Sequence, residues 1–309
     1  MHQVGRGYTD LLSALLAVGV QAAELQIWKE VDGIFTADPR KVPTARLVST
    51  ISPEEAAELT YYGSEVVHPF TMEQAIRKKI PIRIKNVKNP GGGGTVIYPD
   101  PEVDPAEVQE GLRTKIVPLL KRLSHPPVNH ERKRVPTAVT IKDNIIVVNV
   151  NSNRKSVSHG FLAGIFGTLD RFGIVVDLVS MSEVHVSMAF EDKLGKKLFD
   201  RLVNDLRKSG TVRHLLAAGF CTQFFFQVSM HRDMAILSLV GKQMQHMVGI
   251  AGRMFTTLAQ GNVNIEMISQ GASEINISCV IEGRDAVKAL NLIHHNCLQI
   301  KPEGAKGRG

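Results

Sequence analysis

The chain has 309 residues, of which 43% are hydrophobic, and it carries a formal net charge of +7. This length predicts two or three domains, and the composition excludes disordered and fibrous proteins. Basic residues concentrate in residues 115–134 and in the tail 301–308. Because no aromatic residue lies between residues 115 and 134, we interpret that stretch as a solvated linker and expect no nucleic-acid partner.

The cysteine and histidine patterns predict no metal site. Cys221, Cys279 and Cys297 are an odd number of cysteines without CxxC spacing. This pattern argues against a disulfide framework or a structural zinc site and favours a reducing compartment. The adjacent His294 and His295 have no carboxylate or thiol at ligand spacing, so we expect a surface position or a satisfied position in the core.

The first part of the chain predicts a buried helix and then a strand. Thr9 is a suitable N-cap for a helix over residues 9–24, and apolar residues cover most of the circumference of that helix. The apolar run 11–20 also resembles a short secretory signal, but Asp10 at its start favours a helix of a folded domain. The run is too short to span a bilayer. We therefore predict a cytoplasmic protein without a membrane partner.

Further elements follow in residues 52–98. Ser52 and Glu55 match a capping box at the start of a second helix, and Thr71 is expected to cap a third helix. The alternation of residues 80–87 indicates a strand, and a glycine-rich turn leads into another short strand. Strands that alternate with helices predict an α/β sheet for residues 1–98.

The second half of the sequence contains a duplication. Residues 99–135 predict a linker, and the two copies that follow are offset by 89 residues and later by 91. The residues that recur are Gly160 as Gly249, Phe166 as Phe255, Thr168 as Thr257, Leu169 as Leu258, Ser180 as Ser269 and Ser187 as Ser278. Each copy predicts a βαββα module with an antiparallel sheet and helices on one face. We place the modules at residues 136–213 and 233–301, before a basic tail at 302–309.

Residues 214–232 do not fit this duplication, because a short loop is expected between the modules. The stretch contains the triplet Phe224, Phe225 and Phe226, which would be an aggregation liability if exposed. Two explanations remain open. Either the stretch packs against an element that the sequence does not reveal, or it is not native coding sequence, and we favour the second.

Two glycine-containing segments near the start suit phosphates and carboxylates. In residues 28–40 a strand leads into an acidic turn and then into a Pro-limited loop that ends at Arg40. Arg6 lies between two glycines before a helix, where backbone N–H groups and a guanidinium can bind an anion. Asp10 has an alternative interpretation as a charge that stabilises the N-terminus of a helix. Asp32 has an alternative interpretation as a turn-forming residue.

Four motifs in this order resemble the C-terminal half of the aspartate kinase catalytic domain. They are GRGYTD, WKEVDGIFTADPR, EAAELTYYGSEVVHPFT and the IPIRIKN strand with its NPGGGGT turn, and their wording resembles the fungal branch of the family. The duplicated half resembles the paired ACT regulatory modules of that family. The resemblance implies a partial amino-acid-kinase-like α/β sheet followed by two α+β modules.

The family transfers the γ-phosphoryl group of Mg-ATP to the β-carboxylate of L-aspartate, on the route to threonine and methionine. The resemblance implies ATP with Mg²⁺ as co-substrate and no prosthetic group. It places Arg6, Thr9 and Asp10 in the aspartate-binding turn, with Asp10 as the catalytic residue. It assigns the ATP contacts to Lys29, Glu30, Phe35, Arg40 and Glu65.

Two of these positions depart from bacterial relatives. Phe35 replaces a tyrosine, so its ring packs without donating a hydrogen bond. Glu65 follows Ser64 where the bacterial motif has an Ala-Lys pair, which removes a cation near the phosphates. A solvated or differently paired carboxylate is an equally good interpretation of Glu65.

The paired ACT modules imply an amino-acid effector, for which threonine is expected, and a homo-oligomer formed through the modules. Asp177 would accept a charge-assisted hydrogen bond from the effector's α-ammonium group. The effector contacts implied by the resemblance are Lys155, Ser158, Phe161, Leu162, Val176, Asp177, Ser182, Glu183, Asn264, Ile265 and Gln270. Ordinary core packing is an equally good interpretation of the apolar members.

The family also begins with a Lys-Phe-Gly-Gly motif, and no such lysine stands before Gly5 in this sequence. Loss of a group that stabilises the transferred phosphoryl lowers the rate by orders of magnitude. We therefore expect little or no kinase activity from the chain as given. The alternatives are a non-catalytic regulatory protein that binds amino acids through its ACT pair, and a truncated gene model.

Overall fold

The computed structural model describes residues 8–63, 67–98, 135–152, 161–182, 185–209, 214–215, 221–222, 226–242, 244–270 and 275–298. The chain divides into two compact units, and both are discontinuous in sequence. The first comprises residues 1–34, 47–60 and 65–136, and the second comprises residues 35–46, 61–64 and 137–309. Within the described ranges, no helix combines the length and the apolar character that a membrane crossing requires.

The first unit contains a four-stranded mixed sheet in the order β1-β3-β4-β2. The strands are β1 (Leu25–Lys29), β2 (Thr50–Ile51), β3 (Ile82–Asn86) and β4 (Thr95–Ile97). β1 pairs parallel with β3, and β4 pairs antiparallel with β3 and parallel with β2. The helices are α1 (Tyr8–Gly19), α2 (Pro53–Tyr61), whose last residue falls in the second unit, and α3 (Pro69–Arg77). α1 packs against α3 and also contacts β1.

Side-chain caps set the starts of two of these helices. The Glu55 carboxylate accepts hydrogen bonds from the Ser52 N–H and hydroxyl at 3.1 and 2.8 Å, and the Glu55 N–H donates to Ser52 Oγ. The predicted capping box is therefore present. The predicted cap of α3 by Thr71 is wrong, because His68 is the N-cap and its ring accepts from the Phe70 N–H. Pro69 at the first helical position fixes the start three residues earlier.

The second unit contains a six-stranded sheet in the order β11-β12-β10-β5-β7-β6. Its strands are β5 (Ala138–Ser152), β6 (Leu178–Met181), β7 (His185–Glu191), β10 (Phe226–Val240), β11 (Met267–Ser269) and β12 (Asn276–Glu282). All of its pairings are antiparallel. A separate two-stranded pair is formed by β8 (His214–Leu215) and β9 (Cys221–Thr222).

Four helices accompany the six-stranded sheet: α4 (Phe161–Arg171), α5 (Lys196–Ser209), α6 (Ile250–Gln260) and α7 (Ala286–Ile293). Two 3-10 turns, Met244–His246 and Gly283–Asp285, precede α6 and α7, and a π turn, His294–Leu298, follows α7. The order helix, strand, strand, helix occurs once with α4 and once with α6, as the duplication predicts. The predicted fold class, an α/β sheet followed by α+β modules with antiparallel strands, is confirmed.

The two long strands β5 and β10 each serve both modules. Val139 and Ile141 of β5 belong to the core around α6 and α7, whereas Ile146 and Val148 of the same strand belong to the core around α4 and α5. The face that points to the helices changes where Asn144 adopts a left-handed backbone (φ 58°). The predicted module boundaries, which give each module one contiguous stretch of chain, therefore differ from the packing in the structure.

β10 also changes the interpretation of residues 214–232. Residues 226–231 pair with residues 147–152 of β5, and Val228 packs against the core around α4 and α5. The described residues 226–230 are thus a segment of β10 that packs against a core, which agrees with the first of the two explanations left open by the sequence. A strand that continues across an irregular residue, here Asp233 (φ 56°), looks like two separate strands in the sequence.

Candidate functional site

Asp10 and Lys29 are in direct contact in the first unit. Asp10 lies in the first turn of α1, and Lys29 ends β1. Lys29 Nζ donates to Asp10 Oδ2 at 2.7 Å, and the two side chains are 33% and 18% exposed for Lys29 and Asp10. The helix N-terminus and the ammonium group both attract the negative charge of the Asp10 carboxylate. The structure thus brings together the predicted catalytic residue and a predicted ATP-binding residue.

The neighbours of this pair are exposed. Thr9 lies in the same turn, where its carbonyl accepts a hydrogen bond from Ser13 Oγ, and its own side chain faces solvent. Glu30 follows Lys29 and is exposed. Arg6 and Glu65, which were predicted to bind aspartate and ATP, lie outside the described residues.

The acidic turn after β1 is held by amides from the end of β3. Asn86 Nδ2 and Asn89 Nδ2 donate to Asp32 Oδ1 at 3.0 and 3.4 Å. Gly33 has a φ of 146°, and a Cβ there would lie 2.3 Å from Thr95 Oγ1. A side chain at this position would displace the hydroxyl that accepts the Ile34 N–H. These contacts agree with the interpretation of Asp32 as a turn former.

Phe35 and Arg40 fall in the part of the motif that belongs to the second unit. Phe35 is half-buried, and the Arg40 side chain is 88% exposed. Arg40 Nε and Nη2 donate to the two carboxylate oxygens of Asp38 at 3.1 and 3.0 Å. These bonds hold the pKa of the Asp38 carboxyl below its usual value and raise the pKa of Arg40. The tip of this loop therefore presents a guanidinium with a fixed carboxylate partner.

The predicted effector residues of the first module differ in their surroundings. Leu162 and Val176 pack against the core around α4 and α5. Ser182 follows β6 with its side chain exposed, and its N–H donates to the His185 carbonyl. Phe161 is the first residue of α4. Lys155, Ser158 and Glu183 lie outside the described residues.

Asp177 is the ionisable residue of this set that the structure describes, and it is deeply buried. Its side chain is 3% exposed, and its Oδ1 accepts from Lys142 Nζ at 2.7 Å. Its Oδ2 is buried and has no hydrogen-bond partner among the described residues. Buried carboxylate oxygens are rarely left without a donor, so this atom fits a site that an external ammonium or hydroxyl group completes.

The predicted effector residues of the second module lie around the start and end of β11. Asn264 is exposed, and its amide donates to Glu266 Oε1 at 3.2 Å. Ile265 packs against the core around α6 and α7, and Gln270 is exposed directly after β11. Ordinary core packing thus accounts for Ile265.

Sequence reasoning missed the polar contacts of two residues in the second unit. Lys142, which binds Asp177, is a single lysine in a strand and carries no motif. His294 was expected to be either exposed or satisfied in the core, and it is buried between the hydroxyl groups of Thr36 and Thr44. No spacing rule connects residues about 250 positions apart. In the part of the chain that the structure describes, no group of three or more His, Cys, Asp or Glu side chains could hold a metal.

Comparisons with known proteins agree on one family. A model of the amino acid kinase family matches residues 2–86, and a model of the ACT domain matches residues 237–297. The aspartokinase of Candida albicans is 55% identical to this chain, over 97% of the chain and 52% of the relative. The aspartokinase of Saccharomyces cerevisiae is 53% identical, over 96% of the chain and 53% of the relative.

Solved aspartokinases share the fold. E. coli aspartokinase III in complex with aspartate and ADP has a TM-score of 0.69 at 27% identity, over 96% of this chain and 57% of that one. Clostridium acetobutylicum aspartate kinase has a TM-score of 0.75 at 28% identity, over 95% and 59% of the two chains. The chain thus spans about half the length of the curated relatives it matches. Along nearly its whole length the chain is thus similar to aspartokinases, and it carries a segment of the amino acid kinase family and a segment of the ACT domain.

Proposed function

We propose that this protein is an aspartate kinase that transfers the γ-phosphoryl group of Mg-ATP to the β-carboxylate of L-aspartate, yielding ADP and 4-phospho-L-aspartate. The contact between Asp10 and Lys29 carries the proposal, because it brings the residue assigned to catalysis and a residue assigned to ATP binding into direct contact. The 55% identity to a fungal aspartokinase supports it, as does the bacterial relative bound to aspartate and ADP.

Each residue has a role in this proposal. Asp10 is the catalytic carboxylate, and Lys29 orients it through their hydrogen bond while supplying positive charge to the nucleotide phosphates. Arg6 and Thr9 bind aspartate. Phosphoryl transfer depends on positioning and on neutralising the phosphate oxygens, and Mg²⁺ contributes to that neutralisation. The remaining ATP contacts are Glu30, Phe35, Arg40 and Glu65.

Regulation through the ACT modules belongs to the same proposal. We infer that threonine is the effector and that its α-ammonium group binds Asp177, whose Oδ2 is buried and unpaired among the described residues. The reaction would then serve the formation of threonine and methionine, with threonine as the feedback signal. We further propose a homo-oligomer formed through the ACT modules and a cytoplasmic location.

Titration calorimetry with Mg-ADP, and separately with aspartate, tests the kinase assignment on the purified chain. We expect both ligands to bind. Lys29→Met should weaken Mg-ADP binding about tenfold or more, because a charge-assisted contact to phosphate is lost. Asp10→Asn should weaken aspartate binding more than Mg-ADP binding, because the ionised carboxylate is lost and Lys29 is kept.

Lys78→Met is the matched control, since Lys78 is an exposed lysine of the same unit at the end of α3. It should leave both affinities unchanged. Absence of Mg-ADP binding in the unmodified chain would overturn the kinase assignment. The low turnover expected from the sequence stays a prediction, and a coupled ADP-release assay on the same sample measures it.

A non-catalytic regulatory protein that binds amino acids is the second candidate. The observation that favours it is the buried, incomplete carboxylate of Asp177 within the six-stranded unit. Binding of threonine without binding of Mg-ADP would identify this function. Binding of both would support the kinase.

A further inference from the structure

The loop that carries Arg40 is built into the second unit by its flanks. Ala37 and Val42 are buried in the core around α6 and α7, and Ala45 packs against that core. Between these flanks, Pro39 and Arg40 are exposed. We call residues 35–46 the tip segment. Its position is therefore fixed by the ACT core, although its sequence is part of the nucleotide motif.

His294 lies between the two flanks of the tip segment, next to Thr36 and Thr44, and we call this junction the neck. The residue begins the π turn after α7 and is 0% exposed. Its Nε2 lies 2.9 Å from Thr36 Oγ1, and its Nδ1 lies 3.3 Å from Thr44 Oγ1. Both ring nitrogens thus face hydroxyl groups from opposite flanks of the segment.

Backbone contacts complete this neck. The Thr36 N–H donates to the Arg46 carbonyl at 2.8 Å, and the Arg46 N–H donates to Thr36 Oγ1 at 2.9 Å. Thr36 Oγ1 is consequently shared between the imidazole of His294 and the backbone of the other flank. Loss of the imidazole would leave a buried hydroxyl without one of its partners.

Three further polar contacts join the tip segment to the rest of the second unit. Arg46 Nη2 donates to the Leu298 carbonyl at 3.0 Å, and Asn291 Nδ2 donates to the Lys41 carbonyl at 3.0 Å. Lys41 Nζ pairs with Asp143 Oδ2 at 2.7 Å. His294 differs from these contacts because it alone among them binds side chains from both flanks.

We propose that His294 is a positioning residue for nucleotide binding, which holds the tip segment so that Arg40 is presented to the phosphates of the nucleotide. The inference rests on the proposed kinase function and on the assignment of Arg40 to ATP.

The test uses the full chain and three variants. His294→Phe keeps a ring but removes both hydrogen bonds, and His294→Gln keeps an amide donor and acceptor. Thr44→Val is a milder change that removes one hydroxyl at nearly constant shape, and it remains informative where His294→Phe fails to fold. His295→Asn is the matched control, because His295 is the exposed neighbour in the same turn.

Calorimetry with Mg-ADP and with aspartate, together with hydrogen exchange of residues 35–46, gives the readout. We expect His294→Phe to weaken Mg-ADP binding about tenfold while aspartate binding is unchanged. His294→Gln should restore part of the loss, and exchange at the Thr36 and Arg46 amides should rise in His294→Phe and, less strongly, in Thr44→Val.

The outcomes separate this inference from the proposed function. If the unmodified chain binds Mg-ADP and all His294 and Thr44 variants bind it equally well, the positioning role is overturned and the kinase assignment stands. If the unmodified chain binds no Mg-ADP, the kinase assignment falls and the inference falls with it. A parallel loss of Mg-ADP and aspartate binding would also overturn the positioning role.

Discussion

Two carboxylate–ammonium pairs in this protein have the same distance and different surroundings. Lys29 pairs with Asp10, and Lys142 pairs with Asp177, each at 2.7 Å. The Asp10 side chain is partly exposed to solvent, so a charged ligand can replace it as the partner of Lys29 at a modest cost in free energy. Asp177 is nearly excluded from water, so its interactions act in a lower dielectric and depend strongly on each partner.

The burial of Asp177 leads to a prediction about the effector. Asp177→Asn should weaken threonine binding about tenfold or more, because the neutral amide loses the charge-assisted bond to the α-ammonium group. Calorimetry with threonine on the full chain measures the change, with lysine as the comparison ligand.

Asp170→Asn provides the control for this experiment, since Asp170 is an exposed carboxylate on α4 of the same module. It should bind threonine like the unmodified chain. Equal heats for threonine and lysine, or equal threonine affinity in Asp177→Asn and the unmodified chain, would contradict the assigned role of Asp177.

At the scale of elements, the bent strands β5 and β10 decide how the two modules are built. Each strand passes a left-handed residue, Asn144 in β5 and Asp233 in β10, and then presents the opposite face to the helices. The register between the two strands also shifts between His231 and Ile236. The two cores are consequently joined by shared strands.

This architecture predicts that residues 226–230 are needed for folding. Val228→Asp should lower the free energy of unfolding by about 2 kcal/mol, because a charge would enter the core around α4 and α5. Ser229→Asp adds the same charge on the exposed, opposite face of the strand and should change stability little. Urea unfolding measures both. Equal stability of the two variants would contradict this packing role of residues 226–230.

Local signals predicted most of the elements but not their full lengths. The capping box at Ser52 and the alternation in β3 depend on neighbouring residues, so the sequence was sufficient for both. The start of α3 was misplaced because Thr71 is a common cap residue, whereas His68 acts as the cap through its ring. The sequence predicts strands over residues 145–150 and 235–240, which are only parts of β5 and β10, because a left-handed residue interrupts the alternation on which strand prediction depends.

At the scale of the whole molecule, the two compact units are discontinuous in sequence, whereas the predicted domains are contiguous stretches of chain. Residues 35–46 and 61–64 lie between stretches of the first unit in sequence and belong to the second unit. Composition and periodicity report on neighbours along the chain. They carry no information about contacts such as that of Thr44 with His294, which join distant residues. The residues of the candidate site were assigned only through the family motifs and stay a prediction, and the polar neck around His294 had no sequence signal.

The buried His294 makes the stability of the second unit depend on pH. Burial, with smaller contributions from Arg46 and His295, lowers the pKa of His294 below its ordinary value of 6.5. Between that value and the lowered native pKa, the unfolded chain binds a proton at this position and the native chain does not. The free energy of unfolding should therefore fall as the pH decreases through this window.

Substitution of His294 isolates this contribution from that of the other histidines. Urea unfolding at about pH 7.5 and about pH 5.5 should show a smaller loss of stability in His294→Gln than in the unmodified chain, because glutamine does not titrate. His295→Asn removes an exposed imidazole and should keep most of the pH dependence. If His294→Gln and the unmodified chain lose the same stability between the two pH values, His294 is not held neutral by burial. The neck of the tip segment would then have to be open to solvent, which would also weaken the case that it positions Arg40.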